Sequence, residues 1–158
     1  MKVEEVMTRD VQCCSPETNL AAAAIQMWNG DFGALPIVDE DSRVVGMITD
    51  RDICIAAATN HQEISGIRVS DVATGKVQTC LPDSTVRDAL RLLEQARVRR
   101  LPVVDEDNKL QGILSISDVV LHTGESKDKK ATDVSYAEVA NTFKAICKPY
   151  TKAAAAGA

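Results

Sequence analysis

Leu35-Pro36-Ile37-Val38-Asp39-Glu40-Asp41 returns later in the chain as Leu101-Pro102-Val103-Val104-Asp105-Glu106-Asp107. Gly46-Met47-Ile48-Thr49-Asp50-Arg51-Asp52 returns as Gly112-Ile113-Leu114-Ser115-Ile116-Ser117-Asp118. Both pairs share an offset of 66 residues; at that offset residues 3–52 align with 69–118 without a gap, and 16 of the 50 pairs are identical. A unit this short rarely buries its apolar face alone, so the two copies are expected to pack on each other. The cleft between them is the first place to look for a site.

Each copy carries the same order of signals. An extended segment, Val11–Cys14 or Val77–Cys80, precedes Pro16 or Pro82. Thr18 and Ser84 are suitable helix N-caps, because a hydroxyl there accepts an orphan backbone N–H. Leu20, Ala23, Ala24 and Met27 then recur at helical spacing, as do Val86, Ala89, Leu90 and Leu93. Leu35–Val38 and Val44–Ile48 read as a hairpin around the acidic turn 39–42, and Leu101–Val104 and Leu110–Leu114 as its repeat around 105–108. Asp50–Ala58 and Ser117–His122 read as helices begun by Thr49 and Ser115. The predicted order per copy is strand, helix, strand, strand, helix, an α+β fold with mixed sheets. The expected boundaries are 1–64 for the first copy, 65–124 for the second, and 125–158 for a linker (Gly124 to Lys130), a last helix over about 133–148 ended by Pro149, and a frayed Ala-rich tail.

Charge and composition narrow the function. Residues 1–64 carry 4 basic and 11 acidic side chains, 65–124 carry 8 of each, and the tail carries 6 basic and 4 acidic. An acidic chain without a basic stretch argues against nonspecific nucleic-acid binding, which needs Lys and Arg to neutralise phosphates. No run of 18 apolar residues exists, so no membrane span is expected. The charged start, Lys2, Glu4 and Glu5, lacks a signal-peptide core, which makes the cytoplasm the expected compartment. The five cysteines, Cys13, Cys14, Cys54, Cys80 and Cys147, show neither disulfide nor zinc spacing. Cys13-Cys14 reads as two small residues on a strand with one facing in, ahead of a redox pair. His61 and His122 lack ligand-spaced partners, and the acidic turns lack the glycine of a calcium loop. No nucleophile–base pair or metal set suggests an enzyme. Trp28, the only Trp, reads as core ahead of a dimer face.

The repeated pattern Gly, two apolar residues, Thr or Ser, two residues, Asp admits two explanations. The hydroxyl and the carboxylate can cap a helix. Equally, a helix N-terminus suits a phosphate, and a carboxylate one turn on can accept both hydroxyls of a ribose. At these residues the chain resembles the CBS domain, named for cystathionine β-synthase, and two such repeats form the unit called a Bateman module. The resemblance covers residues 1 to about 124 and rests on Leu-Pro-[Ile/Val]-Val-Asp and Gly-x-x-[Thr/Ser]-x-x-Asp, each present twice in order.

The resemblance implies repeats paired by pseudo-twofold symmetry, and a regulatory module without a required cofactor. Such a module binds an adenine nucleotide in the cleft between its repeats and passes occupancy to a partner protein. It implies ribose binding by Asp52 and Asp118, and phosphate-side contacts from Thr49 and Ser115. It further places adenine against the first extended segments, through Val11 and Cys13 or Val77 and Thr79. Residues just before the Leu-Pro strand touch phosphate in this family. Here they are Gly33 and Ala34 in the first copy but Arg99 and Arg100 in the second. Guanidinium forks match phosphate oxygens. The expectation is therefore one dominant site, pairing Asp52 and Thr49 with Arg99 and Arg100 and with added charge from Arg51. The other cleft, with Asp118, Ser115 and Ser117 facing Gly33 and Ala34, is expected to hold anions poorly. The resemblance also implies a homodimer and an unknown regulated protein. Two alternatives stay open: a structural or dimerising module with vestigial clefts, and another adenosyl ligand such as NAD or S-adenosylmethionine.

Overall fold

A computed structural model describes residues 1–73, 75–124 and 134–148. The first repeat contains α1 (Leu20–Gly30), β1 (Ala34–Val38), β2 (Val44–Thr49) and α2 (Asp50–Thr59). The second contains α3 (Val86–Ala96), β3 (Arg100–Val104), β4 (Leu110–Ser115) and α4 (Ile116–His122), and α5 (Tyr136–Ile146) follows. The chain is α+β, with a two-stranded antiparallel hairpin in each repeat. Registers are identical: Leu35 faces Ile48 and Leu101 faces Leu114, and each hairpin has an irregularity at the end of its first strand. The extended segments before α1 and α3 make isolated parallel bridges, Cys14 with Ile37 and Cys80 with Val103. The strand expected at the start of each repeat is thus reduced to one parallel bridge, and each sheet proper is the antiparallel hairpin alone.

Two further details differ from expectation. The caps of α1 and α3 are Asn19 and Thr85, one residue beyond Thr18 and Ser84. Thr18 Oγ1 instead accepts from Ser15 N at 3.1 Å, closing the turn around Pro16. The backbone sets the register: Leu20 N donates to the Ile67 carbonyl at 2.9 Å, which leaves Asn19 as the residue whose side chain reaches Ala22 N. The second detail is Trp28, expected in the core and found 85 % exposed. The linker expected from Gly124 to Lys130, apart from Gly124 itself, the start of the last helix at 133, and Pro149 with the Ala-rich tail lie outside the described residues.

The repeats are joined by an exchange. Val3, Val6 and Met7 lie buried with Val86, Leu90, Leu93 and Leu101 of the second repeat. Ile67 and Val69, from the start of the second copy, lie buried with Leu20, Leu35 and Ile48 of the first. Backbone bonds fix both crossings. Val3 N donates to the Ser84 carbonyl at 2.9 Å, Thr8 and Ile113 bond each other reciprocally, and Val69 N donates to the Thr18 carbonyl at 2.7 Å. The hairpin turns also meet: Val44 N donates to the Asn108 carbonyl and Leu110 N to the Ser42 carbonyl, each at 3.0 Å. Ser42 and Asn108 both take positive φ there, 64° and 63°.

Beyond the repeat, α5 lies on α3 and α4. Val134 and Val139 are buried in the second core, and Arg87 Nε on α3 donates to Glu138 Oε1 at 2.6 Å. Arg87 and the Ser135 cap hold the Glu138 carboxyl down, from its ordinary 4.5 to about 2. A depressed carboxyl contributes stability above its unfolded value and loses it as pH falls through the folded one. Both partners are more than a third exposed, so the pair contributes at most about 1 kcal/mol. Glu138→Gln, which keeps the cap geometry, should lower the melting temperature slightly at pH 7. That difference should shrink as the pH falls from about 4.5 through about 2; a constant gap in melting curves would refute the ion-pair account. A second expectation concerns the exchange. A Cβ on Gly112 would sit 2.7 Å from the Thr8 carbonyl oxygen, so Gly112→Ala should destabilise by about 1–3 kcal/mol in urea titrations.

Candidate functional site

The second repeat builds its candidate groups from a strand end and a helix start. Arg100 opens β3 directly opposite Ser115, the last residue of β4. Ser115 caps α4: its hydroxyl donates to Asp118 Oδ2 at 2.7 Å and accepts from Asp118 N at 3.2 Å, while Ser115 N also donates to Oδ2 at 2.7 Å. Thr49 and Asp52 repeat this capping box in the first repeat, with Oδ2 accepting at 2.6 Å and 2.9 Å. Both explanations left open by the pattern thus meet in one geometry. The hydroxyl proton of Thr49 or Ser115 is committed to the carboxylate, so neither hydroxyl can donate to a phosphate while the cap holds. The Oδ1 atoms of Asp52 and Asp118 have no partner among the described residues and can accept from a ligand.

A cleft of about 400 Å³ between the repeats collects Arg100, Ser115, Asp118 and Ile113 from the second repeat and Thr8, Asp10, Val11, Gln12, Phe32 and Ala34 from the first. This corrects the expected partition. Arg100 was expected opposite Asp52, but it opens onto the cleft of Asp118, because the β3–β4 register sets it beside its own repeat's hydroxyl. The cleft expected to bind anions poorly therefore holds a cation. Ala34 faces Asp118 as expected, whereas Gly33 lines a separate groove with Asp50. Thr49, Arg51, Asp52, Arg99, Ser117, Cys13, Val77 and Thr79 line neither of these two hollows. Arg51, Arg99 and Ser117 are exposed, and Cys13, Val77 and Thr79 are half-buried.

The first repeat also carries its own anion. Asp50 Oδ1 accepts from Arg51 N at 2.7 Å, Asp50 N donates to the Gly33 carbonyl, and Asp52 N is taken by Thr49 Oγ1. The N–H groups that begin α2 are thus already satisfied. A Cβ on residue 33 would stand 2.7 Å from Asp50 Oδ2, so glycine there makes the room. The second repeat has Arg99 and Ile116 at the equivalent positions. The repeated pattern does not single out Asp50, though the charged-for-apolar difference between Asp50 and Ile116 is visible in the sequence. Phe32 and Asp10 were missed because no repeated pattern marks them; Gln12 recurs as Gln78, but the expected contacts of that segment were assigned to its neighbours Val11 and Cys13.

The remaining candidates are inert or apart. Burial pushes the Cys14 and Cys80 thiols up to about 11, which suppresses the reactive thiolate. His61 and His122 are exposed, and His122 Nδ1 lies 2.8 Å from the Asp118 carbonyl oxygen. Among the described residues no cluster of His, Cys, Asp and Glu is arranged for a metal, and no helix is long and apolar enough to cross a membrane.

Known proteins match this arrangement. The CBS domain family model matches residues 3–58 and again 69–123. The chain is 30% identical over 145 residues to Hypoxic response protein 1 of Mycobacterium tuberculosis, covering 92% of this chain and 93% of that one. The crystal structure of CBSX2 in complex with AMP is similar at a TM-score of 0.66 and 29% identity, covering 76% of this chain and 93% of the other. The CBS domain pair of protein MJ0100, in complex with methylthioadenosine and S-adenosyl-L-methionine, is similar at a TM-score of 0.69 and 26% identity, covering 77% of this chain and 94% of the other. Two matched repeats, a shared pair architecture and the capping-box carboxylate in each copy lead to one assignment: the chain belongs to the CBS domain family, as a tandem CBS pair.

Proposed function

We propose that this chain is a regulatory, non-catalytic module that binds an adenosine-containing ligand in the Asp118 cleft and conveys its occupancy to a separate protein. The observation that carries this reading is the convergence of Arg100 and Asp118 from one repeat with Val11 and Phe32 from the other on one hollow. Its volume, about 400 Å³, suits a single small ligand. Asp118 Oδ1 receives ribose hydroxyls. Arg100 meets phosphate, taking the part that Ser115 cannot fill while its proton is given to Asp118. Val11, Phe32 and Ile113 supply the apolar walls for the base. The binding of AMP by CBSX2 and of adenosyl ligands by the MJ0100 pair supports the same ligand class. Transmission requires only that the ligand favour one of two arrangements of the repeats.

Charge selects within that class. Asp10 and Asp118 face one guanidinium in the cleft. That balance favours one phosphate over three, because added negative charge meets two carboxylates at short range. Asp10 also favours S-adenosylmethionine as a second reading, since its sulfonium and ammonium carry positive charge. The Asp52 side is the weaker site, because Asp50 already places a carboxylate at the start of α2.

Melting with AMP, ATP, NAD and S-adenosylmethionine tests the reading. A bound ligand at a hundredfold excess over Kd should stabilise by about 2.7 kcal/mol, and ATP should stabilise less than AMP. If none shifts the curve, the module is structural. Asp52→Ala and Asp118→Ala should each cost about 0.5–2 kcal/mol of stability, since each removes half of a capping box. Only Asp118→Ala should also remove most of the ligand shift. Arg100→Ala should weaken AMP far more than adenosine; equal losses would take Arg100 off the phosphate.

A further inference from the structure

Helix α4 is shared between the ligand cleft and α5. It runs only from Ile116 to His122, or about 10 Å. Asp118, in its first turn, lines the cleft. The next residue, Val119, is fully buried in the second core with Ile116, with Val134 just before α5, and with Val139 on it. The far end of α4 meets α5 as well. Thr123 is buried, with its hydroxyl donating to the Val119 carbonyl at 2.6 Å, and a Cβ on Gly124 would strike the Tyr136 hydroxyl. Two turns of helix thus carry the ligand's carboxylate on one side and the seat of α5 on another.

Neither helix is stable by itself. At 7 residues for α4 and 11 for α5, both fall below the length at which an isolated helix holds in water. Side chains fasten α5: Val134, Val139, half-buried Ile146 and the Arg87–Glu138 pair. Among the described residues no backbone hydrogen bond joins α5 to either repeat. The first repeat supplies a contrast. Its α1 and α2 are covered by Ile64–Gly66, a segment strapped down where Leu20 N donates to the Ile67 carbonyl at 2.9 Å. Its α2 is also longer, at 10 residues. Of the two repeats, the second is the one covered by a marginal helix.

We propose that α5 is the output element of the Asp118 cleft, docking and releasing in step with the ligand because both ligand and α5 need α4 folded. The proposal rests on the ligand reading above and adds the element that carries the signal. Asp118 Oδ1 is held out to a ligand only while Oδ2 keeps the cap, and Val119 is held in the seat of α5 only while that turn is helical. Each binder therefore meets an ordering cost that the other has already met, which couples them without any new contact. The coupling is reciprocal: the factor by which ligand favours docked α5 equals the factor by which docked α5 tightens ligand. Asp52 lacks this link, since α2 and α5 belong to different cores. What a separate protein reads is whether α5 is docked.

Amide hydrogen exchange of the full chain, followed by NMR with and without AMP, tests this. In the free protein the amides of α5 should exchange faster than those of Leu90 and Leu93 in α3, as a separate opening unit. Saturating AMP should slow α5 exchange about fivefold or more. Asp118→Ala, which removes half of the α4 capping box, should speed α5 exchange with no ligand present, whereas Asp52→Ala should leave it unchanged. Val139→Ala, away from the cleft, should weaken AMP by no more than the factor by which AMP slows α5 in the parent; retained protection of α1 shows that this variant is folded. An α5 that exchanges together with Leu90 and Leu93, or that ignores Asp118→Ala, overturns the proposal. So does AMP binding that leaves α5 exchange unchanged. If neither AMP nor S-adenosylmethionine binds but Asp118→Ala still frees α5, the ligand reading falls and the linkage between α4 and α5 stands.

Discussion

The exchange of leading segments is the contact on which the rest of this molecule depends. Each repeat offers only a two-stranded hairpin and two helices, which cannot enclose an apolar core from every side. Val3, Val6 and Met7 close the core of the second repeat, and Ile67 and Val69 close that of the first. Burying three aliphatic side chains contributes on the order of 5–9 kcal/mol before chain entropy is counted. A copy cut free along the chain would leave its own closing segment on its partner and lose that contribution. The pairing is therefore part of folding rather than a later docking step, and the cleft between the repeats inherits a fixed geometry.

Duplication copied the fold's local devices faithfully and its chemistry poorly. Both capping boxes survive with nearly the same distances, as do the hairpin registers and the left-handed residues in the turns. These devices satisfy backbone groups that would be costly to leave unmade. The side chains around them have diverged. Ala34 answers Arg100, Asp50 answers Ile116, and Trp28 answers Glu94. The first repeat has become acidic and apolar at its helical face, and the second has become cationic at its cleft. A symmetric frame thus presents two unlike surfaces.

The capping box also shows how one pair of residues serves structure and leaves room for recognition. The carboxylate uses Oδ2 for the helix and keeps Oδ1 open, while the hydroxyl gives its only proton to that carboxylate. Two carboxylates in one cleft favour a ligand that brings hydroxyl donors and little negative charge. The cation that balances them, Arg100, arrives from the neighbouring strand and not from the helix.

Periodicity and repetition in the chain were enough to set the helices, the α+β class, the two hairpins and most core positions of the repeats, because these follow from local propensity and from which side chains leave water. Asn19 rather than Thr18 as cap was not legible, since Leu20 takes its register from a bond to Ile67, far along the chain. Trp28 was misjudged because a large apolar residue at helical spacing looks the same whether it faces a core or solvent. The side of the molecule served by Arg100 was decided by strand register against Ser115, and the exchange of residues 1–8 for 67–69 by the closing of two cores at once. Such contacts join residues distant in sequence, and no local pattern encodes which of two similar partners a segment meets. The repeated chain determined what each half is; only the tertiary structure decided how the halves share their segments and where their unlike charges converge.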